Sequence, residues 1–71
     1  MKTDIKNDFL IFVVEEYKFL ENISSDEIMN VFSKYQVFDY IINHYETLHL
    51  MGGRAIVDDI KLLIGNKSRN I

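Results

Sequence analysis

The groups with which this 71-residue chain could do chemistry are the histidines His44 and His49, the adjacent carboxylates Glu15-Glu16 and Asp58-Asp59, the serines Ser24, Ser25 and Ser33, and the Gly52-Gly53 step. A shared metal ion would need both imidazoles on one side of a helix. Five residues of separation turn them about 140° apart at ~100° per residue, so they diverge. With no Cys and no H-E-x-x-H spacing, a zinc centre has no support. Each histidine falls at the edge of an apolar stripe, where an imidazole serves as a border residue hydrogen-bonded to a carboxylate or carbonyl.

The pairs Asp58-Asp59 and Glu15-Glu16 resemble acid/base couples, yet neighbouring residues on a helix point apart, and paired-carboxylate catalysis needs convergence on one reacting group. They read as solvated faces. The spacing leaves open a bond from His49 to Asp58 or Asp59 across the glycines, which would fasten the last helix to the one before it. Ser24, Ser25 and Ser33 have no nearby His and no G-x-S-x-G turn, and Gly52-Gly53 lacks the phosphate-loop pattern. No enzymatic activity, cofactor or small-molecule substrate is expected.

The elements that position these groups are helical throughout. A first helix over about residues 4–21, capped at Thr3 or Asp4, carries Ile5, Phe9, Phe12, Val13 and Leu20 on one stripe, while Leu10, Ile11 and Val14 make its middle apolar nearly all round. Ser24 followed by Glu27 is a capping box, with Ile23 and Ile28 at the staple positions, and opens a second helix over 25–34. A third, over 37–50, holds Val37, Phe38, Ile41, Tyr45 and Leu48 on one face and Asp39, Asn43 and Glu46 on the other. Gly52-Gly53 ends it through a left-handed backbone, and a fourth, over 54–64, closes at Gly65. Residues 66–71 are polar enough to form a flexible tail. The expectation is a single all-α domain, a small four-helix orthogonal or irregular bundle with no sheet.

A chain this short buries only roughly 60% of the surface its unfolded form exposes, so its margin of stability is thin. Without Cys, dense packing or self-association must supply the remainder, and a hydrophobic content of 48% makes both available. Absence of Cys fits a reducing compartment. The longest apolar run, Phe9–Val14, is far short of the ~20 residues that cross a bilayer, and no leader pattern opens the chain. A cytoplasmic protein without membrane contact is expected.

The formal net charge is -3, with the basic groups of the last eleven residues set apart from an acidic body. Acidic surfaces repel phosphate backbones. The alternative of a helix-turn-helix DNA-binding regulator draws on the short second and third helices, with Ile28, Val31, Phe38 and Ile41 near the core positions of that motif. A recognition helix presents Arg, Lys, Gln or Asn to bases and phosphates, whereas this one carries Asp39, Asn43 and Glu46 and no cation. What remains is protein contact, because Leu10, Val14, Tyr40 and Leu62 lie off the main stripes, and exposed apolar residues rimmed by charge mark a partner or dimer face. Ser24, Glu27, Asp39, His49, Asp58 and Asp59 are expected to cap and orient helices.

FLIFVVEEYK, the capped S-x-x-E start, FSKYQVFDYIINHYETLH and IVDDI together resemble a family of short bacterial proteins catalogued as domain of unknown function three-seven-nine-one. The resemblance spans about Phe9 to Ile60. Its most specific parts are Lys34-Tyr35 with Val37–Ile41, Tyr45-Glu46 with Leu48-His49, and Ile56–Ile60. That pattern commonly has Gly where this chain has Gln36, a departure that would let helices two and three run together. The resemblance implies no activity, cofactor or catalytic residue. Genes of similar proteins lie in small clusters, some beside ADP-ribosyltransferase-like proteins, which implies an antitoxin-like or other partner role. The expectation is therefore a non-catalytic interaction module, either a homodimer or the partner of a neighbouring gene product.

Overall fold

Helix α1, Lys2–Glu21, is the element on which the others pack: α5, α2 and α3 all lie against it. The computed structural model describes the backbone of residues 2–69 and the side chains of residues 6–69. The expected caps at Thr3 and Asp4, the Ile5 core position and the end of the tail at Asn70 and Ile71 lie outside the described side chains. After α1 come α2, Ser25–Lys34, α3, Val37–Asn43, a single turn α4, Tyr45–Leu48, and α5, Gly53–Arg69. Among the described residues there is no strand, and no helix is long and apolar enough to cross a membrane. The architecture is a small all-α bundle.

Burial follows the helical spacing of the apolar residues. Val13 and Tyr17 of α1, Ile28 and Phe32 of α2, Val37 and Ile41 of α3, Leu48 of α4, and Ile56, Val57 and Ile60 of α5 form one buried cluster. Phe32 is its centre. The Tyr17 ring meets it edge-on at 5.1 Å between centroids and Phe38 meets it at 5.4 Å, the arrangement that aromatic quadrupoles favour. Burial pushes the Tyr17 hydroxyl pKa up, and the charge of Glu21 one turn away adds to the rise.

Helices α1 and α2 both end on a residue in the left-handed region. Asn22 has φ 55°, which Asn tolerates better than most residues, and Gln36 has φ 56°, which a side chain of its type adopts at a cost. Helices α2 and α3 therefore stay separate, although Gln36 stands where the resembling family commonly has Gly. Lys67 reinforces this turn from a distance: its Nζ donates to the Tyr35 carbonyl at 2.7 Å, placing a cation at the negative end of α2.

Three expectations about helix ends are corrected. The helix expected over 37–50 divides at His44, within a run from Ile41 to His44 of residues with modest helix propensity. Gly52 and Gly53 do separate the last helix from what precedes it, but neither has positive φ, so the left-handed glycine stop is absent. At Gly53 the need is for space: a Cβ there would collide with the Glu16 carboxylate, which lies against the first turn of α5, where the helix dipole favours an anion. Finally, α5 does not close at Gly65. It continues to Arg69, so residues 66–69 are helical rather than tail, held by the Lys67 bond and by Ser68 Oγ donating to the Gly65 carbonyl at 3.2 Å.

Candidate interaction surface

Since α1 buries Val13 and Tyr17 on one side, its opposite side must present what remains of an unusually apolar sequence. Ile11, Phe12 and Phe19 stand there in solvent, while Leu10 and Val14 flank the buried side and pack partly against the core. Leu10 and Val14, half-buried, line an open groove of about 240 Å³ with Ile11 and Glu15 of α1, Met29 of α2 and Phe38 of α3. Ile11 is 62% exposed and Met29 48%. A second depression, lined by Glu15, Lys18, Phe19, Asn22 and Ile23, adjoins the first through Glu15. Phe19 rises from it with 80% of its surface in solvent.

The two depressions share the Glu15 wall and together span α1 from Leu10 to Ile23, although Phe19 stands about 180° around the helix from Leu10 and about 140° from Val14. At 1.5 Å per residue that is about 20 Å of helix, enough for three to four turns of a partner. Charge enters this span through the Glu15 carboxylate and the Lys18 ammonium, one turn apart on the same face. Apart from the Asn22 amide in the second depression, the rest of the lining is hydrocarbon and aromatic ring, a composition suited to docking an apolar helix face.

Of the four residues expected to meet a partner, the structure brings Leu10 and Val14 together and leaves Tyr40 and Leu62 elsewhere. Leu62 stands alone on α5, 68% exposed. Tyr40 is half-buried, and its hydroxyl donates to Asp59 Oδ2 at 2.5 Å, joining α3 to α5. That bond, together with burial and the Asp59 charge, pushes the Tyr40 pKa up to about 12. Sequence patterning missed Ile11, Phe19 and Met29 as surface anchors. Phe19 carried a signal, since it fits no core stripe.

The polar residues expected to cap and orient helices have mixed fates. Ser24 Oγ accepts from the Glu27 amide at 3.2 Å, although among the described residues the Glu27 carboxylate makes no bond in return. Asp59 serves Tyr40, and His49 turns to its own helix, with Nδ1 2.8 Å from the Tyr45 carbonyl and its ring stacked on Tyr45 at 4.6 Å. The open pairing between His49 and an aspartate is thus not formed. His44 lies against Tyr40. Asp39 and Asp58 are exposed, Asp39 in the first turn of α3, where its charge complements the helix dipole. Around α3 the exposed groups Asp39 and Asn43 offer a phosphate backbone no cation.

No curated protein and no solved structure matches the chain. One family model does, over residues 8–67, a span that includes every buried residue of the core, both walls of the groove and the Lys67 anchor. The chain belongs to the family described as protein of unknown function DUF3791.

Proposed function

We propose that this protein is a small non-catalytic interaction module of the cytoplasm that docks another polypeptide on the outer face of α1. The observation that carries the proposal is the open apolar groove lined by Leu10, Ile11, Val14, Met29 and Phe38, with Ile11 and Met29 largely in solvent and the exposed Phe19 ring in the adjoining depression. Large apolar side chains there stand in solvent although the same chain has packed an apolar core beside them. Scattered single apolar residues need no explanation, but a contiguous groove and an adjoining exposed ring form a patch of the kind that binds. The polar groups that might have suggested chemistry are occupied in holding helices: Tyr40 with Asp59, His49 with Tyr45, Lys67 with Tyr35.

Two classes of occupant fit such a face, a second copy of the chain or the product of a neighbouring gene in an antitoxin-like pairing. Co-purification of the tagged protein from its own cells tests the module itself. A stoichiometric partner, self or other, retained by the native protein and lost with Ile11→Asp is the expected outcome. Binding indifferent to Ile11→Asp, or no bound polypeptide of either kind, would overturn it.

A further inference from the structure

The lining of the 240 Å³ groove is apolar, but each of the three helices that wall it sets a carboxylate at its edge. Glu15 of α1 belongs to the lining itself. Asp8 stands one turn before Ile11 on α1, Asp26 one turn before Met29 on α2, and Asp39 beside Phe38 in the first turn of α3; all four acids are exposed. At three-residue spacing Asp8 and Asp26 lie about 60° around their helices from those apolar neighbours, on the side away from the buried stripe. Three lysines also fall within four residues of the lining. Two of them lie over tyrosine rings, the Lys6 ammonium 6.0 Å from the Tyr45 centroid and the Lys34 ammonium 5.4 Å from the Tyr35 centroid. Among the described residues the rim therefore sets four carboxylates against the Lys18 ammonium of the adjoining depression.

Resting on the interaction reading above, we infer that the groove takes a basic amphipathic helix of a different polypeptide. Its apolar stripe seats between Leu10, Val14, Met29 and Phe38, and Lys or Arg residues flanking that stripe come within reach of Glu15, Asp26 and Asp39. Complementary charge around an apolar contact steers the encounter and rejects wrong partners. A second copy of the chain is one of the partners rejected. Its own formal charge is -3, and this face set against itself opposes one acidic rim to another. Nucleic acid is repelled in the same way.

A synthetic helix tests the inference with the full chain. The probe is a fluorescent Ala-based peptide of about fourteen residues with Leu at i, i+3, i+4 and i+7 and Lys at the flanking positions, beside a peptide with Gln in place of each Lys. Fluorescence anisotropy is expected to show the Lys peptide binding about tenfold or more tighter than the Gln peptide at about 0.05 M salt, a preference that shrinks toward about 0.5 M. Glu15→Lys is expected to remove that preference, whereas Asp58→Lys, at an exposed α5 position outside the groove, keeps it. Ile11→Ser takes hydrocarbon from the lining without adding charge and is expected to weaken both peptides by about fivefold or more. Equal affinity for the two peptides, equal loss in Glu15→Lys and Asp58→Lys, or binding indifferent to Ile11→Ser would overturn the inference. So would recovery of a second copy as the bound polypeptide on co-purification, a result that leaves the interaction module itself standing.

Discussion

The Tyr40 hydroxyl and the Asp59 carboxylate, 19 residues apart in sequence, meet at 2.5 Å and tie the helix after the Gln36 turn to the last helix of the bundle. A charge-assisted bond of this kind is among the stronger ones a small protein can make across its surface. It also makes part of the stability of the fold depend on pH in the alkaline range.

The hydroxyl titrates near 10 in an unfolded chain and at about 12 in the folded one. Its folded-state pKa is the higher, so the stability it contributes is fully present below pH 10 and is lost as pH rises from 10 toward 12. Tyr17, raised in the same direction, adds to the loss. Urea midpoints measured from pH 8 to 11.5 should fall above pH 10 in the native protein. They should fall less steeply in Tyr40→Phe, whose residual slope belongs to Tyr17. Parallel profiles for the two proteins would show that the bond is not formed in solution.

Gln36 and Gly65 make a reciprocal pair of backbone tests. A left-handed conformation costs a side-chain-bearing residue roughly 1–2 kcal/mol, and Gly gives back about half of that through its greater entropy when unfolded. Gln36→Gly should therefore stabilise the protein by about 0.5–1 kcal/mol, while β-branched Gln36→Val destabilises it. At Gly65, inside α5, a Cβ would meet nothing within 4 Å, so Gly65→Ala should also stabilise by roughly 0.5–1 kcal/mol. Chemical denaturation reads both, and a loss of stability on Gly65→Ala would mean that the helix ends before that residue.

Lys67 should be worth more than an exposed lysine. Lys67→Met removes the bond to the Tyr35 carbonyl and the cation at the end of α2, at a cost of ~1 kcal/mol. Faster amide exchange should follow in residues 66–69 and around Gln36. By contrast, Lys61 and Glu21, paired at 3.2 Å on the surface, should give a coupling of only ~0.5 kcal/mol in a double-mutant cycle.

Two phenylalanines should respond in opposite ways to truncation. Phe32→Ala leaves a hollow at the meeting point of Tyr17 and Phe38 and should cost about 3–5 kcal/mol, enough to unfold much of a population this small. Phe19→Ala, in solvent, should change the stability of the isolated chain by no more than about 0.5 kcal/mol. Its effect belongs to association instead.

Local rules carried much of the fold to view in the sequence. The Ser24 cap, the apolar spacing of α2 and α5 and the helical class needed only neighbours within one or two turns. The features that escaped depend on distant partners. Nothing near Gly65 in sequence reveals that Lys67 will reach back 32 residues to Tyr35 and draw the helix past its expected end. The Tyr40–Asp59 bond, likewise across helices, turned a residue expected at a partner face into a strut. The docking groove was legible by half: the surplus apolar character of α1 pointed to Leu10 and Val14, but only the seating of α2 decided that Met29 would complete it. Which of several off-stripe residues share a patch is a tertiary property, and Leu62 and Phe19 look alike until the helices are packed.

Co-purification of the tagged native protein beside Ile11→Asp tests the central claim most directly. The native chain should retain a stoichiometric polypeptide, a second copy or another chain, and Ile11→Asp, equally helical, should retain none. No bound polypeptide on the native protein, or binding untouched by an aspartate at position 11, would contradict it.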